Sequence, residues 1–297
     1  MAKTRKQLEL ELKRSAIITL IVLLSALITI SGPSFAWYIY STSIHTTSVH
    51  LAAGSSSSLS ICDTYDGDYS STVKLAKFED ELVPVSTDKI TAGFQKVTDF
   101  EGNEKENMKA ISFAQADKTD YYVTSLYLKT GNDSTDVYLS GITFKDREVS
   151  DEDVNNHIST AIRVGFVFYT PGENGTPESE YIFEISEEKN PEANYNTKEG
   201  YQGCVLDSSR TDGTTIEFTP YSPENYASYD EDTAKVTLTA DSLKLCTLHG
   251  NNGSEDDAVR VDVYVWLEGC DEDCFNNITG KYLDSLAVSF CGYTENS

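Results

Sequence analysis

Six cysteines stand out among the residues of this 297-residue chain that could carry out chemistry. An even number of cysteines in an oxidising compartment would allow three disulfides, in pairings that the sequence does not assign. A zinc site needs several closely spaced ligand pairs, whereas only one pair here is close, in a CxxxC arrangement. Disulfides or free thiols are therefore favoured over a metal site. The cysteines are Cys62, Cys204, Cys246, Cys270, Cys274 and Cys291.

Carboxylates cluster in several turn-like segments, and such hard oxygen ligands suit calcium. Placing Gly67 at the sixth position of an EF-hand loop would put Cys62 first and Val73 twelfth. Neither of those side chains is a calcium ligand there, so the EF-hand interpretation fails. Ordinary acidic turns are the simpler interpretation, and we expect no cofactor, with calcium as the one ion to consider. The candidate calcium ligands are Asp63, Asp66, Asp68, Asp271 and Asp273.

Catalytic motifs are missing from the sequence. Hydrolases usually carry out proton transfer with a histidine, but none of the four histidines has a motif partner, and no HExxH, GxSxG, P-loop or GxGxxG pattern occurs. A glycosidase would need two carboxylates that meet only in space, and these would leave no motif. We therefore predict that the protein is not an enzyme. The histidines are His45, His50, His157 and His249.

The sequence predicts that β-strands position these residues, because period-two alternation recurs along the chain. In 259–267, four valines would share one face, and Arg260, Asp262, Tyr264 and Trp266 the other. Many short strands separated by turn residues indicate a mainly β fold, an antiparallel β-sandwich or jelly roll. The clearest strands are predicted over 121–129, 136–144, 161–169, 259–267 and 286–292.

The N-terminus has the order of an export signal. A basic tip, 1–15, precedes an apolar segment, 16–40, and the positive-inside rule predicts that the tip stays in the cytoplasm while the rest is exported. Small residues near its end fit cleavage between Ala36 and Trp37, which would make it a signal peptide. Alternatively, Trp37 and the tyrosines after it form an interfacial belt, and the segment stays as a single membrane-inserting helix.

The exported body is strongly acidic. Without residues 1–36, which hold five basic and two acidic residues, it keeps 18 Lys and Arg against 46 Asp and Glu, a net charge of −28. Such a surface repels phosphates, so we expect no nucleic-acid partner. The small, hydroxylated stretch 41–60 reads as a stalk or a first strand. Residues 61–297 are predicted to form one sandwich domain with an insertion near 171–234, where prolines concentrate.

The junction at 35–61, FAWYIYSTSIHTTSVHLAAGSSSSLSI, resembles that of the TasA and camelysin-like secreted proteins of Gram-positive bacteria. Ala36 and Trp37 occupy the aromatic junction after the cleavage site, and 51–54 the apolar step into the first strand. The resemblance implies a jelly-roll subunit that assembles into fibres of a biofilm matrix. It also implies that an N-terminal strand, here 37–51, completes the sheet of a neighbouring copy.

The sequence as a whole predicts a non-enzymatic structural or interaction protein at the cell surface or secreted from the cell. Its expected partners are copies of itself, joined by strand addition, or other surface and matrix components, and its N-terminal segment would contact the membrane. The alternative is an adhesin-like module that binds carbohydrate or depends on calcium, because the 18 tyrosines of the chain could stack on sugars from exposed strand faces.

Overall fold

The chain divides into two units, Met1–Ile39 and Tyr40–Ser297, and every residue described below belongs to the second unit. The computed structural model describes residues 47–53, 59–75, 82–101, 109–146, 158–185, 221–230, 232–250, 258–271, 274 and 283–294. The predicted tip 1–15 and the segment 16–40, including the cleavage site, lie outside these residues. None of the described helices is long and apolar enough to cross a membrane.

Fifteen strands are present in the described residues, with one short α-helix and two 3₁₀ turns. In chain order they are β1 (Thr47–Ala53), β2 (Leu59–Cys62), β3 (Thr72–Lys74), β4 (Pro84–Val85), a 3₁₀ turn (Ile90–Ala92), β5 (Gln95–Glu101), β6 (Lys109–Gln115), β7 (Tyr122–Thr130), β8 (Thr135–Asp146), α1 (Ile158–Ala161), β9 (Ile162–Tyr169), β10 (Pro177–Glu184), a 3₁₀ turn (Pro223–Asn225), β11 (Ser228–Asp230), β12 (Lys235–Thr237), β13 (Lys244–Leu248), β14 (Val259–Glu268) and β15 (Leu283–Tyr293).

Two large sheets contain most of these strands. The first sheet has the order β13-β8-β15-β1-β3, and the second has the order β10-β9-β14-β7-β2, with β4 paired to the end of β14. Most neighbours are antiparallel; the parallel pairs in these two sheets are β1 with β15 and β4 with β14. The prediction of a mainly β, antiparallel architecture is confirmed, and it is consistent with a sandwich.

One hydrophobic core is shared by the two sheets. It combines Phe166 of β9 in the second sheet with Phe290 of β15 in the first, whose ring centroids are 5.4 Å apart. The alternation of β14 works as predicted, because Val259, Val261 and the next two alternate valines are buried in this core. Removing these side chains from water is the main source of stability for such a sheet.

Each sheet also has a partly covered outer face. The described residues 82–101 and 109–121, which include the β5–β6 hairpin, pack Phe94 against Trp266 on the outer face of the second sheet, and Tyr121 stacks on Phe94. The β11–β12 hairpin lies over Tyr138 and Cys291 on the outer face of the first sheet. Both covers bury aromatic rings, and they leave the remaining strand faces as candidate surfaces.

The predicted insertion near 171–234 lies only partly within the described residues. Its first part contains β10, which pairs with β9 over most of its length and is an edge strand of the second sheet. Its last part contributes β11 to the cover of the first sheet. Residues 186–220 lie outside the described part of the chain, so the insertion stays a prediction.

Candidate functional site

The first strand occupies a slot inside the first sheet. Residues Thr47 to Ala53 of β1 lie parallel to 286–292 of β15, and Ser48 to His50 are antiparallel to β3 on the other side. This strand is the described element nearest to the predicted membrane segment. The predicted stalk or first strand at 41–60 is therefore a strand over 47–53, and it closes the chain's own sheet.

The edge strands of the two sheets are short or protected. At the β3 edge only three residues pair, and an edge of that length offers little to an incoming strand. The β13 edge has a bulge, and its Leu245 carbonyl accepts a hydrogen bond from the Tyr181 hydroxyl at 3.0 Å. The last part of β10 is covered by Tyr221, which exchanges backbone hydrogen bonds with Ile182 and Glu184.

A row of aromatic and cationic side chains crosses the outer face of the second sheet. The ring of Tyr65, in the turn after β2, meets the ring of Tyr127 on β7 edge to face at 5.6 Å. Tyr127 is the register partner of Arg260 on β14, and the Arg260 guanidinium lies 4.5 Å from the ring centroid of Tyr169 on β9. We call Tyr65, Tyr127, Arg260 and Tyr169 the tyrosine row.

A buried carboxylate holds the middle of the tyrosine row in place. Asp262 is only 4% exposed in its side chain and accepts two hydrogen bonds from Arg260, at 2.8 and 2.7 Å. It also accepts hydrogen bonds from the hydroxyls of Ser125 at 2.6 Å and Tyr169 at 2.8 Å. Burial, together with the bond to Asp262, raises the pKa of Tyr169 to about 12, so its hydroxyl stays a donor at neutral pH.

A lysine lies beside one end of the row. The Lys129 ammonium is 4.5 Å from the ring centroid of Tyr69 and 5.7 Å from that of Tyr65, within the range of cation–π attraction. Burial is the main cause that raises the pKa of the Tyr69 hydroxyl. The tyrosine row and Lys129 together place two positive charges among aromatic rings. The ion pair with Asp262 holds Arg260 in position, and the rings of Tyr65 and Tyr69 hold Lys129.

A second polar cluster is buried where β9 and β14 approach α1 and the loop after β14. The Arg163 guanidinium donates to the Asp271 carboxylate at 2.5 Å and to the Thr160 carbonyl at 2.8 Å, and both charged side chains are fully buried. Glu184 of β10 lies 3.8 Å from the same guanidinium. A buried charge is costly unless it is paired. The arrangement therefore holds β9, β10 and the loop after β14 in place relative to one another.

Glu268 lies in the same region and is completely buried. Its carboxylate accepts hydrogen bonds from the indole N–H of Trp266 at 2.9 Å and from the backbone N–H of Cys270 at 3.0 Å. Burial raises its pKa to about 6, although these hydrogen bonds lower it in part. Burial also raises the pKa of Glu184. Glu268 and Asp271 are fully buried and the Glu184 side chain is only 12% exposed, so the cluster supports the fold.

The candidate calcium ligands are placed in two different settings. Asp63, Asp66 and Asp68 are exposed in the turn that carries Tyr65. Asp271 is buried and ion-paired with Arg163. Asp273 lies outside the described residues, and among those the structure describes, no group of three or more His, Cys, Asp or Glu side chains is placed to hold a metal ion.

The sequence left disulfides and free thiols open for the six cysteines, and the structure shows free thiols among them. Cys62, Cys246 and Cys291 carry free thiols, which leaves too few cysteines for three disulfides. Cys270 is buried and disulfide-bonded, Cys274 is buried in the main core, and Cys204 lies outside the described residues. Burial raises the pKa of Cys246, and it raises that of Cys291 to about 12, so both thiols stay protonated at neutral pH. Small apolar packing is their evident role.

The sequence indicated only part of this surface. Alternation along β14 placed Arg260 and Asp262 on the outer face, but their partners Tyr127 and Tyr169 come from strands distant in the chain. The Arg163–Asp271 pair gave no sequence signal, since Arg163 lies within an otherwise apolar strand. Comparison with known proteins adds nothing further: no family model, no curated protein and no solved structure matches the chain.

Proposed function

We propose that this protein is a non-enzymatic structural protein, exported to the cell surface or released from it, that assembles with copies of itself through β1. The observation that supports this most is the position of β1, which fills a slot between β15 and β3 and follows the predicted export segment closely in the sequence. Jelly-roll connectivity and an N-terminal membrane-inserting helix or signal peptide are parts of the same proposal.

Strand exchange through the slot explains assembly better than addition to an edge. The edges of both sheets are short, bulged or covered, whereas β1 makes seven register pairs with β15. If the β1 of one copy entered the slot of the next, the exchanged pairing would be the same as in the monomer. A head-to-tail exchange whose rotation does not close on itself builds an open filament, and this is the arrangement proposed.

Protein concentration would control this exchange. Within one chain, β1 meets its slot at an effective concentration in the millimolar range that is typical of short connections. Because the pairs formed in the two states are equivalent, the closed monomer dominates in dilute solution. Crowding at a membrane or in a matrix, where many copies lie close together, would favour the exchanged state.

Cysteine cross-linking tests the exchange directly. Ser48 and Ala287 are register partners, so cysteines at these positions can form a disulfide when β1 occupies the slot. We would purify the Ser48→Cys and Ala287→Cys chains separately, mix them at high concentration, oxidise them and run a gel without reductant. A disulfide between the two chains is expected only if β1 of one chain enters the slot of the other.

The matched control moves one cysteine out of register. Ser48→Cys mixed with Ser285→Cys should give no specific product, because two residues along a strand add about 7 Å to the separation. Electron microscopy of the wild-type protein should show filaments under the conditions that cross-link. Filaments without the cross-link would refute exchange through β1, and a persistent monomer at millimolar concentration would refute assembly.

A further inference from the structure

We infer that the outer face of the second sheet, along the tyrosine row, binds an uncharged polysaccharide. This surface is on the opposite sheet from the β1 slot, so glycan binding can be tested independently of assembly. Its basis is a set of half-buried rings that the protein fixes in position, together with N–H groups of Arg260 and Lys129 for which the described residues show no acceptor.

Two cationic side chains of this surface carry N–H groups that can donate to a ligand. Arg260 uses Nε and Nη2 on Asp262, and the structure shows no partner for its Nη1 among the described residues. In the same described part of the chain, the Lys129 ammonium contacts aromatic rings without a hydrogen-bond acceptor. The Arg260 side chain is 32% exposed, so these N–H groups can reach a ligand. Sugar hydroxyls accept hydrogen bonds from such groups.

The rings supply the second half of the site. Tyr127 and Tyr169 are half-buried, which means that their strands hold the rings while one part of each remains accessible. Tyrosine offers apolar area with little conformational freedom to lose, and this suits the C–H faces of sugars. The tyrosine row crosses three strand spacings, roughly 14 Å, which favours an extended chain over a single small molecule.

The charge of the protein favours a neutral glycan over an anionic one. The chain carries a net charge of −25, and a polyanion is repelled by such a surface. Asp262 neutralises Arg260 within the row, and the exposed Asp63, Asp66 and Asp68 lie in the turn that carries Tyr65. The two cations therefore act as hydrogen-bond donors in an acidic surrounding, and an uncharged glycan fits this surface best.

Sedimentation with insoluble glycans tests the inference. The full-length chain, purified in detergent micelles, would be mixed with cellulose, chitin and an insoluble β-1,3-glucan, and with a carboxymethylated form of whichever glycan it binds. We expect retention on at least one uncharged glycan and weaker retention on its carboxymethylated form. Retention on none of them, or a preference for the carboxymethylated form, would overturn the inference.

Variants then locate the binding surface. Tyr127→Ala should weaken binding about five- to tenfold, since a well-placed aromatic contact contributes that much. Lys129→Gln keeps most of the side chain, removes the ammonium group and should weaken binding about two- to fivefold. Tyr229→Ala, on the β11–β12 hairpin over the other sheet, is the matched control and should bind like the wild type. Melting curves check the fold, and unchanged binding by both Tyr127→Ala and Lys129→Gln would refute the assignment.

Discussion

The indole N–H of Trp266 donates a hydrogen bond of 2.9 Å to the carboxylate of Glu268, and both side chains are fully buried. Trp266 also packs on Phe94 of the outer cover, with ring centroids 5.1 Å apart. Glu268 therefore lies under the junction between the cover and the sheet, where β4 pairs with the end of β14. Its protonation state is linked to the stability of that junction.

Glu268 should make the folded state more stable in mild acid. Its pKa is raised from 4.5 to about 6, so the folded protein binds the proton more tightly than the unfolded chain. The stabilisation is complete below pH 4.5 and is lost as pH rises through about 6, a contribution of about 2 kcal/mol. Urea unfolding of wild type and Glu268→Gln across this range should show a difference between the two that grows from pH 4.5 to 7.

An exposed glutamate is the control for that series. Glu173→Gln should track the wild type at every pH, because its side chain is exposed in both states. Repulsion among the many other carboxylates affects all three proteins alike, so only the difference between curves matters. A Glu268→Gln curve parallel to that of the wild type would contradict the prediction.

Arg163 should be far more sensitive to substitution than its position in an apolar strand suggests. Arg163→Met leaves the buried Asp271 carboxylate without its cation and should lower the free energy of unfolding by about 3 to 5 kcal/mol. The double variant with Asp271→Leu should recover much of this loss, because the fully buried carboxylate closest to Arg163 is then removed together with its cation. Equal losses for the single and double variants would show that the ion pair is not the cause.

Gly165 should tolerate no side chain. A Cβ built at this position would lie 2.5 Å from Cδ1 of Ile90 and 2.9 Å from Cζ3 of Trp266, so the cover would have to shift. Gly165→Ala should cost about 1 to 3 kcal/mol in chemical denaturation, as overpacking of a core usually does. Gly141→Ala is the matched control, since its Cβ would meet no atom within 4 Å. Similar losses for both would refute the steric explanation.

The buried thiols should be unreactive in the folded protein. Burial raises the pKa of Cys291 to about 12, so almost none of it is thiolate at pH 8. Treatment with iodoacetamide, followed by peptide mass spectrometry, should find Cys291 unmodified in buffer and modified in urea. Rapid modification in buffer would mean that the β11–β12 hairpin does not cover it.

The strand pattern was determined by the sequence itself. Alternation along β14 is a local property, and burying four valines on one face requires only that the strand lie against a core. The same holds for β7, β8, β9 and β15, all of which were predicted within a few residues. The two-residue β4 was missed, because its pairing with β14 depends on residues distant in the chain. The three-residue β11 was also missed, since so short a strand shows no clear alternation.

The binding surfaces were decided only by tertiary structure. The place of β1 beside β15 joins residues more than 230 positions apart, and no local signal states which strand a first strand will meet. Likewise, Arg260 could be placed on an outer face from sequence, but Tyr169 and Tyr127 reach it only because β9 and β7 flank β14. Periodicity determines which way a side chain points, whereas the order of strands in a sheet determines what it meets.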